Sequence, residues 1–219
     1  MKNLKEYITE GIFDENIDKS IKDQIKQFLK DNFKGASSCK ISSKPNTDGK
    51  YEVSCNGGIT VIDKKITSLT NGMFIWTSVK GNFDCTWCES LTSLEGGPKE
   101  VGKCFDCSFC DSLTSLVGSP EKVGGDFKCC YCDSLTSLVG SPKEVGGLFS
   151  CNNCDSLKSL EGAPKEVGRG FDCRVCYSLT SLAGAPEKVG WDFYCCGCKV
   201  EFTREDVKKV SDVKGSIVV

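Results

Sequence analysis

Apolar positions along the chain recur in three rhythms. Ile17, Ile21, Ile25, Phe28 and Leu29 fall three or four residues apart, the spacing of one helical face. Asp14 or Asn16 can cap the start of this helix, and Gly35 ends it. A short alternating rhythm follows, Tyr51 to Cys55 and Ile59 to Ile62, around Asn56-Gly57, which predicts a β-hairpin. From Phe83 onward the third rhythm takes over, with Phe83, Phe105, Phe127, Phe149, Phe171 and Phe193 standing 22 residues apart without an insertion. The recurring phrase is Phe-x-Cys-x-x-Cys-x-x-Leu-x-Ser-Leu-x-Gly-x-Pro-x-x-Val-Gly-x-x, complete in five copies and cut short after Cys198.

A unit of this length holds a strand and a return segment and cannot bury its own apolar face. It must stack on its neighbours, so the predicted architecture is a repeat solenoid of parallel β coils with short irregular or 3-10 return segments. Side chains alternate along a strand, which puts Phe105 and Cys107 inside and Asp106 and Ser108 outside, with Leu113, Leu116 and Val123 lining the rest of the interior. Glycine after Leu116 and proline two residues later turn the chain. The Glu-Lys or Lys-Glu pair before the valine reads as solvated surface.

Such a stack needs covered ends. The chain divides into an N-terminal helical segment (1–35), a polar linker (36–50), the coils with the hairpin as cap (51–200) and a C-terminal cap (201–219). The second hairpin strand doubles as the first coil, since Ile59, Val61 and Ile66 fit a shortened phrase. Thr203 with Asp206 starts a short helix through about Val210, and Ile217-Val218-Val219 forms a final edge strand or a loose tail.

Phe105, Cys107, Cys110 and Leu113 match the opening Leu-x-Leu-x-x-Cys-x-x-Leu, so residues 59 to 200 resemble the cysteine-type variant of the leucine-rich repeat family. That resemblance implies strands on one face of a curved coil and a binding role. It departs at Gly102, Gly124, Gly146 and Gly168, where the family prefers leucine, and the preceding valines are expected to supply that core contact.

Composition narrows the chemistry. The 219 residues carry 17 cysteines, no histidine and a net charge of −2. Without histidine there is no Ser-His-Asp or Cys-His pair and no imidazole ligand, so no catalytic residues and no cofactor are expected. No apolar run approaches the roughly 20 residues that span a bilayer, which points to a cytoplasmic protein. Thiols stay reduced there, so the cysteines are not read as a disulfide framework. Twelve of them form the repeated Cys-x-x-Cys. They read as small buried hydrophobes, and the alternative is a metal-stabilised ladder with Cys107, Cys110, Cys129 and Cys132 as a ligand set. Cys104, Cys130 and Cys196 stand outside that pattern at outward places and are the expected reactive thiols.

Outward columns vary while the interior repeats. The place after phenylalanine gives Asp84, Asp106, Lys128, Ser150, Asp172 and Tyr194, and the place after the first cysteine includes Arg174. The place before the second cysteine gives Trp87, Phe109, Tyr131, Asn153, Val175 and Gly197. Three aromatics in neighbouring coils beside Asp84 and Asp106 suit a protein-binding stripe, with Arg174 further along the same face. The alternative is that the rings bend inward and pack. Nucleic acid is disfavoured because the face is acidic to neutral.

Met1 to Glu10, MKNLKEYITE, followed by Gly11, resembles the removable head-targeting leader of internal proteins of T-even-like phages. In that family a protease cuts after the glutamate of a Leu or Ile, any residue, Glu motif. Ile8-Thr9-Glu10 before Gly11 fits, and the resemblance implies a virion-head protein delivered to host cytoplasm. The other reading is that Leu4, Ile8 and Ile12 are one face of an ordinary helix.

Overall fold

The computed structural model describes residues 15–219. The chain winds through about eight parallel coils, with an N-terminal helix and a short C-terminal one. Each regular coil contributes two strands of two residues, one ending in the valine (Glu100–Val101, β7; Lys122–Val123, β9; Glu144–Val145, β11; Glu166–Val167, β13; Lys188–Val189, β15) and one starting with the phenylalanine (Phe83–Asp84, β6; Phe105–Asp106, β8; Phe127–Lys128, β10; Phe149–Ser150, β12; Phe171–Asp172, β14; Phe193–Tyr194, β16). Stacking turns these into two nine-stranded sheets, parallel except at their N-terminal edges and in register at equivalent repeat positions. The return segments are turns and irregular chain.

Two close-packed columns explain the phrase. The phenylalanines are fully buried and stack face to face, with centroids 5.2 to 5.4 Å apart and ring planes within 12° from Phe83 through Phe171. At the N-terminal end Trp76 meets Phe83 edge-on, 6.0 Å away at 82°, and ends the stack. Between the two sheets lies a glycine corner. A Cβ on Gly124, Gly146 or Gly168 would stand 2.3 to 2.4 Å from the carbonyl oxygen of the equivalent glycine one coil earlier, so no side chain fits. The valines before these glycines are buried, as expected, and form the inner face of the second sheet.

The same corner overturns the predicted hairpin. Tyr51–Cys55 (β3) and Ile59–Val61 (β4) lie in different sheets, each with a parallel partner in the next coil: Phe74–Val79 (β5) for β3 and β6 for β4. Asn56-Gly57-Gly58 is the first corner, where Asn56 and in the next coil Lys80 hold the place of the glycine, and one residue on a Cβ on Gly81 would fall 2.5 Å from the Gly58 nitrogen. Tyr51, Val53, Cys55, Ile59 and Val61 all face the core, which a coil corner permits across two sheets.

Helix α1 (Glu15–Asn32) buries Ile25 and Leu29 on the stack, with Ile21 and Phe28 partly buried beside them. It stops before Gly35, and Phe33–Lys34 (β1) pairs antiparallel with β4. The expected linker is structured as well. Ala36–Ser38 is a 3-10 turn and Cys39–Ile41 (β2) pairs antiparallel with β3, Cys39 directly opposite Cys55. Those two cysteines are disulfide-bonded, contrary to the all-thiol expectation, while the other fifteen are free. Antiparallel strands thus cover both sheet edges at this end.

At the other end helix α2 (Arg204–Val210) starts at a capping box in which Thr203 and Asp206 bond each other's backbone N–H groups. It replaces a return segment without ending the coil path. Asp212–Val213 (β17) pairs with β15, and Ile217–Val218 (β18) pairs with β16, Ile217 taking the phenylalanine's place. The coils therefore run past residue 200, and the C-terminal residues are an edge strand.

Candidate functional site

Trp87, Phe109 and Tyr131 form a second aromatic ladder, on the outside. Trp87 and Phe109 stack with centroids 4.0 Å apart and planes 3° from parallel, and Phe109 and Tyr131 follow at 4.7 Å and 5°. Trp87 is 52% exposed and Tyr131 44%. Of the two readings left open by the sequence, outward display is the one observed. The backbone is unusual here: Trp87, Phe109, Tyr131, Asn153 and Val175 all have φ between 55° and 63°, and Gly197 has 73°. This left-handed bend lets the chain leave the sheet, and each residue's N–H reaches the residue before the equivalent place in the next coil, as in Trp87 to Ser108 (3.0 Å).

The acidic and basic candidates divide. Asp84 accepts from the Thr86 N–H and hydroxyl, and Asp106 from the Ser108 N–H, so each carboxylate pins the turn two residues on. Both stay partly exposed beside the ladder. Asp172 is buried and binds Arg174 through two bonds of 2.9 and 2.8 Å, while the guanidinium lies 4.8 Å from the Tyr194 ring centre. Arg174 is therefore occupied within its own face, two coils from Tyr131, and is not part of the ladder. Ser108 and Ser150, expected outside, are buried under neighbouring coils.

The Cys-x-x-Cys ladder has a bonding pattern of its own. Cys110, Cys132, Cys154, Cys176 and Cys198 each donate S–H to the carbonyl of the first cysteine one coil earlier, at 3.1 to 3.3 Å. Burial pushes the Cys107, Cys132, Cys151, Cys173 and Cys176 thiols up, and Cys195 is pushed up to about 12 for the same reason. These sulfurs are held as neutral donors, whereas metal ligation needs thiolates. Among the described residues no three cysteine or carboxylate side chains converge as a metal-binding group, Cys107, Cys110, Cys129 and Cys132 included. Of the cysteines expected to be reactive, Cys130 is pushed up by burial and its sulfur lies 3.2 Å from the Ser150 hydroxyl; Cys104 and Cys196 are partly exposed.

Two features went unread in the sequence. The charged pairs before the valines bridge neighbouring coils, Lys122 to Glu144, Lys143 to Glu121 and Lys165 to Glu187, at 2.7 to 3.1 Å. The place after the second cysteine carries Glu89, Asp111, Asp133 and Asp155 in successive copies, all exposed. Reading that column as well as the aromatic one would have found it. Glu10 and Gly11, the expected cleavage pair, lie outside the described residues.

No protein-family model, curated protein or solved structure matches the chain. No helix among the described residues is long and apolar enough to cross a membrane.

Proposed function

We propose that the protein is a non-enzymatic binding solenoid that engages a protein partner through the Trp87-Phe109-Tyr131 ladder. One observation carries this reading. Trp87 and Tyr131 are exposed, with Phe109 half-buried between them, at left-handed backbone positions where such residues cost of order 1 kcal/mol or more; of the other copies, Asn153 and Gly197 take the bend at little cost and Val175 bears it as well. Large rings displayed on the outside point to contact, since exposed aromatic anchors are what protein interfaces bury at their centres. Because each ring spends its faces on its neighbours, the ladder offers a partner a strip of ring edges. The flat surfaces that sugars stack on are covered, apart from the two outer ones.

The test replaces Trp87 and Tyr131 by Asn, the residue the fold itself uses at this bend. The double variant should keep its circular dichroism spectrum and melt within a few degrees of the parent, since lost stacking of about 0.5–1.5 kcal/mol per pair is offset by relief of the bend. Partner capture should disappear. Unchanged capture profiles would remove the proposal.

A further inference from the structure

The acidic column beside the ladder identifies the chemistry of the partner. One inward cysteine separates the rings from Glu89, Asp111, Asp133 and Asp155 in each coil, and coil stacking sets successive backbone positions of this column about 4.8 Å apart. The ion pairs of the described residues lie elsewhere, so among those residues none of these four has a cationic neighbour in bonding reach. Desolvation first, and then the neighbouring Asp133 and Glu89, raise the Asp111 carboxyl above its usual value. The contrast with the valine side of the coil is direct, because there the chain alternates Lys and Glu and neutralises itself. Asp84 and Asp106 add negative charge on the other side of the rings.

Resting on the binding role proposed above, we infer that the partner segment is an extended basic peptide, its apolar side chains laid along the ring edges of Trp87, Phe109 and Tyr131 and its lysine or arginine side chains on Glu89, Asp111, Asp133 and Asp155. Charge complementarity selects this occupant: a nucleic acid would be repelled by six carboxylates, and an acidic or neutral peptide would leave the column's repulsion in place.

The probe is a labelled 12-residue peptide alternating Lys and Leu, titrated into the full chain by fluorescence anisotropy, with a Glu-Leu peptide and single-stranded oligouridine as controls. The Lys-Leu peptide should bind, weakening about tenfold between 50 and 300 mM NaCl as surface charges are screened. Asp111→Asn with Asp133→Asn should weaken it about fivefold or more with the melting temperature unchanged, and Trp87→Asn with Tyr131→Asn should weaken it by a similar factor. Equal binding of the Glu-Leu peptide, preference for oligouridine, or no response to the carboxamide variant overturns the basic class. If the Lys-Leu peptide fails while the ring variant still abolishes partner capture, the binding face stands and only the partner's chemistry falls; if the ring variant changes neither readout, both fall.

Discussion

At the scale of single residues the most informative side chain is the second cysteine of each copy. The left-handed bend just before it carries the backbone out of the sheet, and the thiol reaches back to the preceding coil's carbonyl from a buried position. Valine could fill the space without donating; serine could donate but is costlier to bury. Cysteine does both, as a small hydrophobe with a weak donor. Cys132→Ala should therefore lower unfolding stability by about 1–3 kcal/mol, combining an unpaired carbonyl with a small void, and Cys132→Ser should fall between alanine and the parent. Urea midpoints measure both, and a serine variant no better than alanine would assign the whole cost to packing. The sequence showed that these cysteines are buried because their recurrence is in phase with phenylalanine and leucine. It did not show the bond, since nothing in Trp87, Phe109, Tyr131 or Val175 announces a positive φ that such residues rarely adopt.

The elements at the N-terminal end are joined by a polar contact inside an apolar seam. Tyr51 in β3 donates its hydroxyl to Asp18 in α1, and Lys22 pairs with the same carboxylate at 2.8 Å. Partial burial works to raise the Asp18 pKa, but the bonds from Lys22 and Tyr51 outweigh it and hold the carboxyl below its usual value. A group depressed on folding stabilises fully above its unfolded pKa, about 3.9, and loses that contribution as pH falls through the lower folded value. Tyr51→Phe removes part of the depression, so the parent should lose more stability than the variant between pH 5 and pH 2. Thermal melts across that range check it, and parallel curves would mean the Tyr51–Asp18 bond contributes nothing to docking. The helix was legible from its apolar spacing and the capping box of α2 from Thr203 and Asp206. The hairpin failed because Asn-Gly marks a sharp corner without stating which sheet the chain turns into, and β2 was missed because three residues in a polar stretch carry too little periodicity to read.

For the whole molecule, a stack of in-phase coils behaves as a sum of units and nearest-neighbour junctions, and the junctions here are unequal. Lys-Glu order alternates along the valine side, Lys99-Glu100, Glu121-Lys122, Lys143-Glu144, and then repeats itself at Lys165-Glu166 before Glu187-Lys188. At the repeat, like charges face each other, and β11 and β13 are paired only through Val145 and Val167, whereas β9 and β11 are paired at both residues. Deleting residues 149–170 keeps the register, joining Leu148 to Phe171, and sets Lys143-Glu144 against Glu187-Lys188 with every charge opposed. Deleting residues 105–126 also removes 22 residues but sets Lys99-Glu100 against Lys143-Glu144, like on like. Exposed pairs contribute little individually but act together here, so at low salt the first deletion should be the more stable in urea unfolding. Most of that difference should vanish in 1 M NaCl, where the screening length shrinks to about 3 Å. Equal stabilities at low salt would show that the glycine corner and the phenylalanine stack hold the coils in register without help from the charges.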